Sequence, residues 1–139
     1  MKKALIAATI VLLLLLSAGG YALYDRLFPV AGPIPCPDEK DVASITFAQN
    51  TGVPVPVDSA DLEAILSYIR SAQPTRIISV NDYPTEKHFY TIEIATLPGR
   101  QHRLFVYAQG SQVYIEAPYT GVYKADPQLL HFIADRLPI

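Results

Sequence analysis

Apolar residues first crowd and then alternate along this chain. Ala4 to Leu23 carries no charge and includes the leucine run Leu12 to Leu16. Beyond residue 40 the apolar positions fall into short runs separated by Gly, Pro, Asn and Asp. Val42 to Ala48 reads V-A-S-I-T-F-A and is bounded by Asn50-Thr51-Gly52, which predicts a strand. Val53-Pro54-Val55-Pro56-Val57 is extended, and its prolines confine it to a sheet edge or a connection. Asp58 to Ala72 changes to the helical period. Leu62, Ile65, Leu66 and Ile69 form one apolar stripe, Asp58 suits the N-cap, and Asp61 and Glu63 suit the positive end of the dipole. Gln73-Pro74 stops that helix. Arg76 to Val80 predicts a short strand, and Asn81-Asp82-Tyr83-Pro84 a turn.

Three alternating runs follow. Tyr90, Ile92 and Ile94 share a face of Phe89–Thr96, Leu104 and Val106 a face of His102–Ala108, and Val113 and Ile115 a face of Gln112–Ala117. A three-residue loop at Pro98-Gly99-Arg100 sets Ile94 opposite Leu104 and Ile92 opposite Val106. A two-residue loop at Gln109-Gly110 sets Leu104 opposite Ile115 and Val106 opposite Val113. Both turns then put six aliphatics on one buried face. The other face holds Glu93, Arg103, Phe105, Tyr107, Tyr114 and Glu116, with Arg103 opposite Glu116 as a cross-strand ion pair. Asp126-Pro127 opens a last helix with the stripe Leu129, Phe132, Ile133 and Leu137, ended by Pro138. The fold class is α+β: an antiparallel meander sheet with one capped helix before it and one C-terminal helix.

The charge-free span of about 20 residues matches the thickness of a bilayer core. Its ten Leu, Ile and Val residues favour insertion by about 5 kcal/mol. Lys2 and Lys3 precede it, which leaves the N-terminus cytoplasmic and the body outside. Tyr21 and Tyr24 suit the membrane interface and favour a retained anchor. A cleaved signal peptide is the rival reading: Ala4–Leu16 has the length of an h-region, and cleavage after Gly20 or Ala22 is conceivable. In that case the domain is secreted. Pro29, Pro33, Pro35 and Pro37 predict a stiff extended linker. The partition is residues 1–26 anchor or signal, 27–40 linker and 41–139 extracytoplasmic domain.

Composition narrows the classes further. The net charge is −2 and no long basic run occurs, which argues against nucleic-acid binding. The single cysteine, Cys36, cannot form an intramolecular disulfide, and it lies too far from the apolar core for lipidation. The strands closing the domain read Tyr114-Ile115-Glu116-Ala117-Pro118-Tyr119-Thr120-Gly121-Val122-Tyr123. This resembles the Y-I-E-x-P-Y-x-G-x-Y pattern of an uncharacterised family of exported domains from Gram-positive bacteria, classed only as a domain of unknown function. The similarity runs over residues 42–137 and implies fold and location, with no catalytic residue to carry over.

No G-x-S-x-G elbow and no phosphate loop occurs. His88 and His102 fall roughly 26 Å apart in the expected register, too far to share a metal. No cofactor is expected. Glu93 and Glu116 form a conceivable carboxylate pair, with ion pairing to Arg103 the simpler account. The strongest functional candidate is a tyrosine surface: Tyr107, Tyr114, Glu116, Tyr119 and Tyr123, shaped by a turn at Pro118 and Gly121 in which Gly121 takes φ > 0. Its partner would be a protein, a peptide or a cell-wall glycan. Two classes stay open, a membrane-anchored binding module and a secreted hydrolase-like or wall-associated enzyme.

Overall fold

The computed structural model describes residues 1–97 and 99–137. The expected parts of Pro98 in a turn and of Pro138 as a helix terminator lie outside these residues. The chain divides into two compact units, Met1–Val30 and Ala31–Ile139. The first contains helix α1, Lys2–Leu27, none of whose residues is buried. It is the one helix among the described residues that is long and apolar enough to cross a membrane.

The second unit is α+β. Its strands are β1 (Val42–Gln49), β2 (Val55–Pro56), β3 (Gln73–Pro74), β4 (Tyr90–Thr96), β5 (Gln101–Gln109), β6 (Gln112–Ala117) and β7 (Gly121–Ala125). They form one antiparallel sheet in the order β2-β1-β4-β5-β6-β7-β3. Helices α2 (Leu62–Ser71) and α3 (Gln128–Ala134) complete it. Ile92, Ile94, Leu104, Val106, Val113 and Ile115 share one core with Ile65, Leu66 and Ile69 of α2 and Leu129 and Ile133 of α3. The six aliphatics therefore lie on one buried face, as their alternation required.

The register behind that face differs from the expected one. Ile92 pairs with Leu104 and Tyr90 with Val106, while Val106 pairs with Ile115 and Ala108 with Val113. Each pairing is displaced by two residues because the turns sit elsewhere. Gly110-Ser111, with Gly110 at φ 62°, is the tight loop closed by the Gln109–Gln112 pair. The Thr96 N–H donates to Arg100 O, so the preceding turn closes between Thr96 and Arg100. A displacement of two preserves every side chain's face. It does change partners: Arg103 pairs with Glu93 across β4 and β5, and Glu116 lies opposite Phe105.

Three further expectations are corrected. The helix expected from Asp58 begins as a 3-10 turn, Ser59–Asp61, and becomes α-helical only at Leu62. Neither Asp58 nor Asp61 makes a side-chain cap, since Asp61 grips Arg136 through two hydrogen bonds of 2.6 and 2.8 Å. Asp126 was expected at the N-cap of the last helix; α3 has Pro127 there instead, and Asp126, one residue ahead, accepts from the Gln128 N–H at 2.9 Å. Arg76–Val80 is not a strand. The strand beside β7 is Gln73–Pro74, which forms β3, and past it Thr75 and Ile77 reach β7, both through backbone bonds to Val122. Residues 75–89 instead run as an irregular strap over the second face of the sheet.

The segment 27–40 is no free linker in its second half. Ala31 N–H donates to Thr75 O at 2.8 Å, and Ala31, Ile34 and Cys36 pack on the core. The compact unit begins at Ala31 rather than at 41. The residues between the prolines cover the core from this segment, because side-chain burial needs no ladder pairing.

Candidate functional site

The tyrosine surface does not assemble as one patch, and alternation explains why. Tyr107, Tyr114 and Glu116 share the second face of the sheet, whereas Tyr123 lies opposite Ile115 and points into the aliphatic core. The Tyr123 ring is fully buried and its hydroxyl donates to Gly32 O at 2.7 Å. Burial holds its phenol above the ordinary value.

Tyr107 and Glu116 are buried as well, beneath the strap. Ser79, itself 3% exposed, donates to Glu116 Oε1 at 2.7 Å and fastens the strap to the sheet. Burial, and then the adjacent Glu116 carboxylate, push the Tyr107 phenol far above its usual range. The Tyr107 and Tyr114 rings stack tilted at 6.0 Å. Tyr83 and Phe89 from the strap close over Phe105, at ring separations of 5.5 and 5.3 Å. Phe105, Tyr107 and Glu116 thus form a second, minor core. The strap shields what alternation alone would have left exposed.

Tyr119 is the exposed member, at 68%. Its hydroxyl donates to Asp82 Oδ1 at 2.7 Å, and that bond raises the phenol's pKa. The turn differs from the expected one. Thr120 N–H donates to Ala117 O at 3.0 Å, with Pro118 and Tyr119 central and Tyr119 at φ 59°. Tyr119, not Gly121, carries the left-handed conformation. Gly121 is a residue of β7 outside the positive-φ set. It is required for another reason: a Cβ there would lie 2.5 Å from the Ala31 Cβ. Pro118 does break the strand, since β6 ends at Ala117.

The strap leaves one part of the second face open. A cleft of about 250 Å3 lies over β1, β4 and β5. Its floor is a cross-strand row, Thr46–Glu93–Arg103, with Ala48 and Thr91 beside it. The turn Asn50-Thr51-Gly52, Pro54 and the half-exposed Tyr83 form its walls. Asn50, at φ 51°, shapes that turn. Its side-chain oxygen accepts from Phe89 N–H at 2.9 Å, and its carbonyl accepts from the Thr91 hydroxyl at 2.7 Å. Arg103 donates from Nε and Nη2 to the same Glu93 oxygen, Oε1, at 3.0 and 2.7 Å.

Glu93 and Arg103 stood on the expected face, but Thr46, Asn50, Tyr83 and Thr91 were missed. Thr46 could have been found from the β1–β4 pairing, which is non-local. Tyr83 could not, since its place depends on the path of the strap. Among the described residues no group of three or more His, Cys, Asp or Glu could hold a metal ion.

No curated protein matches the chain. An NMR structure of a protein from Ruminococcus gnavus is similar at a TM-score of 0.56 and 31% identity, over 67% of this chain and 91% of that one. The DUF5301 family model, described as a domain of unknown function (DUF5300), matches residues 31–124. That match starts where the compact unit starts and spans the strap, the cleft and the turn at Tyr119, and the chain belongs to this family of domains of unknown function.

Proposed function

We propose that the protein is a membrane-tethered extracytoplasmic binding module whose ligand site is the cleft over Thr46, Glu93 and Arg103. The observation that carries this reading is the open cleft itself. Over Phe105, Tyr107 and Glu116 the second face is closed by the strap, whereas here a charged pair, hydroxyls and the half-exposed Tyr83 reach solvent. Binding sites typically combine an apolar wall with a few placed polar groups, and the cleft has both. Helix α1 would hold the domain at the outer membrane surface, with Lys2 and Lys3 inside.

A secreted hydrolase has less support. The buried Ser79 hydroxyl is spent on Glu116 rather than on a histidine base, and Cys36 packs on the core with its thiol pushed up by burial. The test is photocrosslinking in the native membrane. Benzoylphenylalanine at Thr51, on the cleft wall, is expected to capture an adduct that the same group at Glu63, on the exposed side of α2, does not. Equal capture from both positions, or capture from neither, would count against the cleft as a binding site.

A further inference from the structure

Resting on that reading, we infer that the cleft takes a neutral polyhydroxylated ring, a single sugar residue of a glycan. The inference starts from the row across its floor. Thr46, Glu93 and Arg103 are direct cross-strand neighbours, so a hydroxyl, a carboxylate and a guanidinium stand side by side at strand spacing, about 4.8 Å. Their charges cancel. Arg103 commits two donors to Glu93 Oε1 alone. Glu93 Oε2 and Arg103 Nη1 make no hydrogen bond among the described residues, and the Thr46 hydroxyl makes none either.

The floor thus offers an acceptor and a donor next to each other, with a group beside them that can serve as either. A vicinal diol has the same double character, since each hydroxyl donates and accepts. An anion would meet Glu93 and a cation would meet Arg103. Either would have to break the pair, so net charge in the ligand is disfavoured. Tyr83 supplies the complementary wall: the residue is 46% exposed, yet its ring is held in place by contact with Phe105 at 5.5 Å. A fixed aromatic plane suits the C–H face of a sugar ring. Size sets the last limit. A cleft of about 250 Å3 falls below the ~300–1,000 Å3 of sites that enclose drug-sized ligands, so it holds one residue of a chain and leaves the rest in solvent.

The experiment uses the full chain in detergent micelles and saturation-transfer NMR. The probes are tri-N-acetylglucosamine, maltotriose and, as a contrast, the peptide tetra-alanine. At least one trisaccharide is expected to receive saturation, most strongly at one ring, and tetra-alanine none. Thr46→Val and Tyr83→Ala should each weaken the binding by about tenfold or more, and Tyr83→Phe should retain it. Glu93→Gln, which keeps the shape and breaks the charge balance, should shift preference toward an acidic sugar probe, glucuronic acid. Unchanged thermal midpoints for Thr46→Val and Glu93→Gln separate these effects from misfolding. Saturation of tetra-alanine lost in Tyr83→Ala would overturn the sugar assignment and leave the binding cleft standing. Saturation of no probe, or saturation indifferent to all the cleft variants, would overturn the assignment; the crosslinking at Thr51 then decides the cleft by itself.

Discussion

Tyr119 in the turn and Gly121 at the start of β7 divide a task that one glycine was expected to perform. Tyr119 holds φ at 59°, a conformation in which an L side chain crowds its own backbone at a cost of about 1–2 kcal/mol. Its hydroxyl bond to Asp82 ties the turn to the strap. Tyr119→Gly relieves the crowding and loses that tie, so its stability is expected within about 0.5 kcal/mol of the parent. Tyr119→Val keeps the strained φ with a branched side chain and should lose about 1–2 kcal/mol. Gly121 tells the opposite story. Its backbone is unremarkable, but an added Cβ meets Ala31 at 2.5 Å. Gly121→Ala should cost about 1–3 kcal/mol through overpacking. Urea denaturation of the three variants checks the set. A neutral Gly121→Ala would show that residues 31–34 yield easily and are not a fixed part of the core.

At the scale of elements, the strap is where reading the chain in isolation stops. Ile77, Ile78 and Val80 look like a strand, yet all three are at least half exposed while Ser79 between them is buried. Among the contacts that hold this segment are the Ser79–Glu116 bond and the Tyr83 and Phe89 rings over Phe105, made across the sheet where no local pattern encodes them. The meander was legible because alternation fixes faces. Its register was not, since moving each turn by a residue leaves the faces intact and changes every partner. Ser79→Ala leaves the buried Glu116 without that donor, at a cost of about 1–3 kcal/mol. Hydrogen exchange should then rise across residues 75–89 with β4 to β6 still protected. Uniform acceleration across the sheet would mean that strap and sheet open as one unit.

The two helical elements are joined by a pair that responds to pH. Arg136, after α3, holds the Asp61 carboxyl below its ordinary value of 3.8, chiefly through their hydrogen bonds. The folded carboxyl thus has a lowered pKa. Its contribution is fully present above the unfolded value and is lost as pH falls from there through the folded one. Thermal midpoints followed downward from pH 6 should therefore drop less steeply below pH ~4 in Asp61→Asn than in the parent. Equal slopes would show that the pair has no bearing on acid stability.

For the whole molecule the deciding question is whether α1 stays attached to the domain. Its 26 residues are all unburied, and the uncharged part extends through Leu23, past the small residues at which a peptidase would cut. A helix of that length spans about 39 Å, more than the ~30 Å bilayer core needs. The small residues Ser17 to Gly20 would then lie within or near the bilayer rather than at an exposed cleavage site. Retention is therefore expected: protein from the membrane fraction should keep Lys2 by intact mass, and a soluble chain beginning at Tyr21 or Leu23 would refute it. Sidedness needs a separate measurement. Cys36 is a poor reporter, because burial pushes its thiol up and it packs on the core. Val53 is 85% exposed, so Val53→Cys in a Cys36→Ala background offers a clean thiol. An impermeant maleimide should label it in intact cells as fully as after permeabilisation. Labelling only after permeabilisation would place the domain inside, and the proposal of an outward-facing glycan site would fall with it.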